Sequence, residues 1–217
     1  MRNRNVPLVI SLMLLTLVFP GGLLALQQPG TSQEAVKAPA TLADLEPFLT
    51  QVASYKYGQD RKPLAAVIEF VRNAYVSGKE VPELEKRLVQ MLSSAGTEDG
   101  KRFVCEQLSL IGTAAAVPVL SGMLADPKSS DMARYALERI SDPEASEALV
   151  KALSSTTGKV RIGVINSLGR RGDSRAPVVG ALKPFISNRD EDTAVAAITA
   201  VGFIGNVEAA VLLADAR

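Results

Sequence analysis

Residues Thr157 to Val179, reading TGKVRIGVINSLGRRGDSRAPVV, hold the pattern that most restricts the fold. Lys159 to Leu168 forms a helical run that ends at Gly169, Gly172-Asp173 makes a turn, and Pro177 leads a second run. Looser versions recur before and after it. Aligning Ile111-Gly112-Thr113, Ile140-Ser141-Asp142, Arg171-Gly172-Asp173 and Ile204-Gly205-Asn206 gives spacings of 29, 31 and 33 residues. Three positions before each first member stand Leu108, Leu137, Leu168 and Val201; seven before stand Val104, Ala133, Val164 and Ala197. Columns four residues apart share one face of a helix. A column of mostly small residues (Gln107, Ala136, Ser167, Ala200) lets helices approach closely. After the turn come Val119-Leu120, Ala148-Leu149, Val178-Val179 and Leu212-Leu213. One hairpin cannot bury both of its faces, so such hairpins stack. The pattern predicts an all-α, right-handed solenoid of antiparallel helical hairpins.

The turn column predicts its own chemistry. Asp142, Asp173 and Asn206 are expected to cap the second helices, and Gly112, Gly172 and Gly205 to take positive φ at the ends of the first. Upstream, Leu42 to Tyr57 reads as a first helix. Asp60 to Val76 reads as a second, with Leu64, Val67, Ile68, Val71 and Tyr75 inward. Pro82 then opens a helix facing inward through Leu84, Leu88, Met91 and Leu92. Residues 42–217 therefore divide into a lead helix and hairpins near 60–95, 98–126, 129–155, 157–188 and 190–217.

Arg2 and Arg4 precede an apolar stretch, Val6 to Leu26, broken at Pro20-Gly21-Gly22. Residues 1–26 read as a signal peptide or an uncleaved N-terminal membrane anchor. Both readings place the rest outside the cytoplasm, periplasmic or secreted, with membrane contact only through residues 6–26 if they are retained. Residues 27–41, with Pro29, Gly30 and Pro39, read as a flexible linker. The chain stops at Arg217 within an expected second helix, which admits a longer protein with an enzymatic domain beyond it.

The columns resemble HEAT repeats of the short bacterial type found in phycobilisome lyases, best at Leu168-Gly169 and Gly172-Asp173-Ser174-Arg175-Ala176. The resemblance covers about 98–217 well and 60–97 loosely. It implies protein–protein scaffolding in most members and enzymatic activity in a few. The chain departs from it at Arg171, where a buried Ile or Leu is usual, and at Lys101 to Glu106, where a Val-Arg pair is usual.

Composition narrows the chemistry. The 217 residues include no His and one Cys, so a His-based triad, most zinc sites and an internal disulfide are excluded. Cys105, with no base to activate it, reads as a packed small side chain. Glu138 and Asp142, with Arg134 and Arg139 nearby, read as structural, and Asp190 to Asp192 as charges at a helix start, not as a metal site. No catalytic residue, cofactor or metal ligand is predicted.

Net charge is +1, but Lys159, Arg161, Arg170, Arg171, Arg175, Lys183 and Arg189 face one acid, Asp173, in their stretch. Arg161, Arg170, Arg171, Arg175 and Lys183 are the candidate binding set. They form either a solvated face or a ridge for an acidic protein, an anionic glycan or a lipid headgroup. Nucleic acid is disfavoured, since no aromatic platform lies among the basic residues and an exported protein rarely meets it. The expected function is a non-catalytic exported scaffold or adaptor. The alternatives are an accessory segment of a secreted or periplasmic enzyme and a HEAT-like nucleic-acid binder.

Overall fold

A computed structural model of the chain describes residues 39–94 and 96–215. The predicted signal peptide or anchor at 1–26, and the linker up to residue 38, lie outside them. The described residues hold eleven α-helices and no strand. They are α1 (Leu42–Ala53), α2 (Lys62–Ser77), α3 (Val81–Ser93), α4 (Glu98–Ile111), α5 (Val117–Gly122), α6 (Ser130–Leu137), α7 (Pro143–Ser155), α8 (Gly158–Arg171), α9 (Ala176–Ile186), α10 (Glu191–Ile204) and α11 (Val207–Asp215).

Local sequence explains the breaks. Thr41 and Asp44 make a reciprocal capping box on α1. Thr97 and Asp190 cap α4 and α10 through their side chains. Pro82, Pro118, Pro143 and Pro177 occupy the first turns of α3, α5, α7 and α9, where a missing N–H costs nothing. Gly172 and Gly205 do take positive φ, both 63°, as the turn register predicts.

Other turn positions differ from the expectation. Gly112 sits at φ −67°, so it is not a left-handed cap. Its lack of a side chain serves close packing instead, because a Cβ there would run into the Leu108 carbonyl of α4 and meet Ile140 Cδ1 in the next hairpin at 3.0 Å. Asn206 caps α11, accepting the Ala209 N–H at 2.7 Å. Asp142 and Asp173 make no such cap on α7 and α9. Asp173 is engaged by the Arg175 side chain, as described below.

The first helices α2, α4, α6, α8 and α10 pack in sequence along one layer, and α3, α5, α7, α9 and α11 form the other. The result is a solenoid of helical hairpins. The aligned columns are its core: Val104, Ala133, Val164, Ala197 and Leu108, Leu137, Leu168, Val201 are all buried. Tyr75 is an exception among the inward expectations. It is exposed, while Ala66, Phe70 and Ala74 are buried, because α2 is covered on two sides and its buried arc is centred away from Tyr75. Cys105 is fully buried, and burial pushes its thiol up to about 12, which keeps it protonated and unreactive.

Candidate functional site

The candidate basic residues do not form one ridge. Arg161 lies near the start of α8, beside the end of α9, with its guanidinium 5.5 Å from the centroid of the Phe185 ring. Lys183 is exposed on α9. Arg170, Arg171 and Arg175 cluster at the opposite end of the same hairpin, about 15 Å along the axis of α8 from Arg161.

At that end the three arginines have different roles. Arg171 is half-buried and spans to the preceding hairpin. Its Nη1 donates to the carbonyls of Leu137 and Ile140, its Nε to Ser146 Oγ at 2.8 Å, and its Nη2 to the Asp142 carbonyl at 3.2 Å. It thus satisfies carbonyls left open where α6 ends. The residue that breaks the apolar column is an inter-hairpin staple. A similar device lies one step earlier. Buried Glu85 on α3 accepts the Thr113 N–H at 2.6 Å and its hydroxyl at 3.0 Å.

Arg175 clamps the turn. Its Nη2 donates to Asp173 Oδ2 at 2.8 Å and its backbone N–H to Asp173 Oδ1 at 3.1 Å. Nη2 also reaches the Pro143 carbonyl at 3.2 Å. The Arg175 hydrogen bonds, aided by Ser146, hold the Asp173 carboxyl well below the usual carboxylate range against an opposing effect of burial. A depressed folded-state value contributes stability above the unfolded carboxylate's pKa and loses it as pH falls through the folded value. The stability difference between wild type and Asp173→Asn, measured by urea unfolding, is therefore expected to be constant above about pH 5 and to shrink below about pH 4. A difference that stays flat into acid would show that Asp173 gains nothing from its partners.

Arg170 belongs to a second group. Glu138, only 7% exposed, accepts from Ser167 Oγ at 2.7 Å and from Arg170 Nη1 at 3.4 Å, and Arg139 Nη1 lies 3.6 Å from its other oxygen. Arg134 Nη1 donates to Ser167 Oγ at 3.3 Å and to the Gly163 carbonyl at 3.2 Å. Gly163 leaves room for this, since a Cβ would meet the Arg134 guanidinium at 2.7 Å. Three guanidinium groups thus surround one carboxylate. Burial lowers the Arg134 pKa, while Glu138 and Asp131 oppose that shift. Arg139 also stacks on Tyr135, 3.7 Å from its centroid. Glu138, Arg139, Arg171, Asp173 and Arg175 help line an open cleft of about 440 Å³ at this edge.

Arg139 was not among the candidates drawn from the sequence. The signal for it was present in the repeat register. One position before each turn stand Leu110, Arg139, Arg170 and Phe203, at or just past the last turn of α4, α6, α8 and α10. All four side chains are well exposed, Arg170 at 65%.

The helical pairing, the stacked layers and the recurring turn match a known repeat. Residues 146–217 match the family model of HEAT repeats. The matched stretch runs from α7 to α11, so it contains Arg170, Arg171 and Arg175 and the hairpins around them. HEAT repeats are helical-repeat scaffolds for protein–protein contact. The HEAT-like register extends upstream of the matched stretch through the buried columns of α4 and α6. No curated protein matches the chain.

Proposed function

We propose that this HEAT-like chain is a non-catalytic, exported scaffold that binds an acidic protein through its first-helix layer. One observation carries the reading: leaving aside α11, whose Val207 and Val211 are exposed, large apolar side chains are bare on the first helices and not on the second. Large apolar side chains are exposed on the first helices, at Tyr75, Val76, Leu110, Tyr135, Val195, Ile198 and Phe203. The second helices before α11 present Glu83, Lys86, Gln90, Glu144, Glu147, Lys151 and Lys183 instead. Within the first layer, Leu110, Arg139, Arg170 and Phe203 occupy one register position. Apolar groups flank two arginines that share one buried carboxylate, Glu138. That leaves net positive charge beside apolar area, a pairing that suits an acidic and partly apolar protein surface. Arginine stacked on tyrosine also loses little rotamer freedom on binding.

Export rests on Arg2, Arg4 and the apolar stretch Val6 to Leu26. No helix among the described residues is long and apolar enough to cross a membrane.

The test is recovery of partner protein from an envelope fraction by the tagged full chain. The variant Arg139→Glu/Arg170→Glu is expected to lower recovery at least tenfold and to weaken its dependence on salt. The control Lys151→Glu/Lys183→Glu, on the second-helix layer, is expected to leave it unchanged. Equal recovery by the two variants would reject the first-helix layer as the binding face.

A further inference from the structure

The open cleft between the α6 and α8 turns sits at a break in the repeat register. The first helices α4, α8 and α10 run to Ile111, Arg171 and Ile204, the aligned position. The helix α6 ends at Leu137, three residues short of its register mate Ile140. Residues 138–142 therefore pass as an open turn, and Glu138, Arg139, Ile140 and Ser141 line the cleft from that side.

The charges of the cleft are unequally presented. Glu138 and Asp173 have 7% and 14% of their side chains exposed, while Arg139 and Arg175 have 43% and 45%. Both acids also hold partners of their own. Glu138 accepts from Ser167 at 2.7 Å, and Asp173 from the Nε, Nη2 and backbone N–H of Arg175. The cleft thus shows solvent mainly its positive groups.

Donor counting separates the three arginines. Arg171 commits all but one of its N–H groups, to Ser146 and to the carbonyls of Leu137, Ile140 and Asp142. Arg175 commits Nε and Nη2 to Asp173 and Pro143, and its Nη1 lies 3.6 Å from Glu147. Arg139 makes a single hydrogen bond, from Nη1 to the Tyr135 carbonyl at 2.9 Å. Its Nε and Nη2 bond no other described residue. Stacking over the Tyr135 ring, 3.7 Å from the centroid, holds the plane of the guanidinium. A held guanidinium with an open Nε–Nη2 edge is the fork that a carboxylate engages through both oxygens.

We propose that this cleft receives an aspartate or glutamate side chain of the acidic partner, its carboxylate bonded by Nε and Nη2 of Arg139. The inference rests on the acidic-partner reading above and assigns its point of contact. The lining sets three arginines (Arg139, Arg171, Arg175) against two carboxylates (Glu138, Asp173), a surplus of one positive charge. One carboxylate balances that surplus. A phosphate, with a charge of about −2, overshoots it beside two fixed acids.

The test needs no partner. Acetate is titrated into the isotope-labelled full chain at constant ionic strength, and the Arg139 Nε–H and Ser141 backbone amide are followed by NMR. Both are expected to shift saturably, and the Nε–H groups of Arg171 and Arg175, already engaged, much less. Arg139→Gln is expected to weaken the response of the Ser141 amide about tenfold or more, with an unchanged urea midpoint. Arg139→Lys, which keeps the charge without the fork, is expected to fall between. Inorganic phosphate is expected to bind more weakly than acetate. No saturation in wild type, or equal affinity in Arg139→Gln, overturns the cleft as a carboxylate receptor, and tighter binding of phosphate overturns the choice of carboxylate. In either case partner recovery still judges the first-helix layer separately. Saturable acetate binding with partner recovery indifferent to Arg139→Gln overturns the assignment of the cleft to the partner.

Discussion

Gly169→Leu is expected to destabilise the chain by about 3 kcal/mol, through overpacking between two helices. The site leaves no room to relax. A Cβ on residue 169 would meet Ala200 Cα at 2.6 Å and Ala200 Cβ at 2.9 Å. The obstruction is the backbone of α10, not the end of a flexible side chain. A leucine forces α8 and α10 apart and strips cover from Ala196, Ala197 and Ala200, which are buried in that contact region. Even Gly169→Ala is expected to destabilise, although alanine is the better helix former by about 1 kcal/mol. Gly180→Ala is the matched control. It lies inside α9 with nothing within 4 Å of its added carbon, so only the propensity gain remains and stability is expected to rise by about 0.5–1 kcal/mol. In a stack of hairpins the damage is local. Hydrogen exchange should accelerate across α10 and α11 in Gly169→Leu while α2 and α3 stay protected. Uniform loss across all hairpins would mean that the stack unfolds as one unit.

These two glycines show how far the sequence can be read. The apolar columns are legible because burial in a repeat recurs at fixed register, and Leu108, Leu137, Leu168 and Val201 report it four times over. Glycine carries two meanings that periodicity does not separate. Gly172 and Gly205 share a turn position and its positive φ, whereas Gly112 stands in the same column for a different reason, its close approach to the Leu108 carbonyl and to Ile140. The group around Glu138 was harder to see. Its members Arg134, Arg139, Ser167 and Arg170 come from two hairpins, and only the stacking of α6 on α8 makes them neighbours. Charge counting along the chain grouped Arg161 and Lys183 with Arg170. The helix axis separates them, because charge adjacent in sequence need not be adjacent on a rod.

The second large effect is expected at Arg171. Arg171→Ala should cost about 2 kcal/mol, since it leaves the carbonyls of Leu137, Ile140 and Asp142 and the Ser146 hydroxyl short of a donor at once, and water entering from the cleft replaces only part of what is lost. Ile111, Ile140 and Ile204 fill the equivalent positions and are buried, which suggests a repair by Arg171→Ile. The repair is expected to be partial. Isoleucine restores apolar contact but supplies no donor, and the preceding turn has been shaped around the guanidinium. Arg171→Lys is expected to fall between wild type and alanine, because one ammonium cannot follow the spread of four acceptors that the planar guanidinium reaches. The order wild type, lysine, isoleucine, alanine in urea midpoint is the expected outcome. Isoleucine equal to wild type would mean that burial, not the staple, sets stability there. In that case Arg171 would be free for another role, and the partner-recovery assay on Arg171→Ile would then read that role directly.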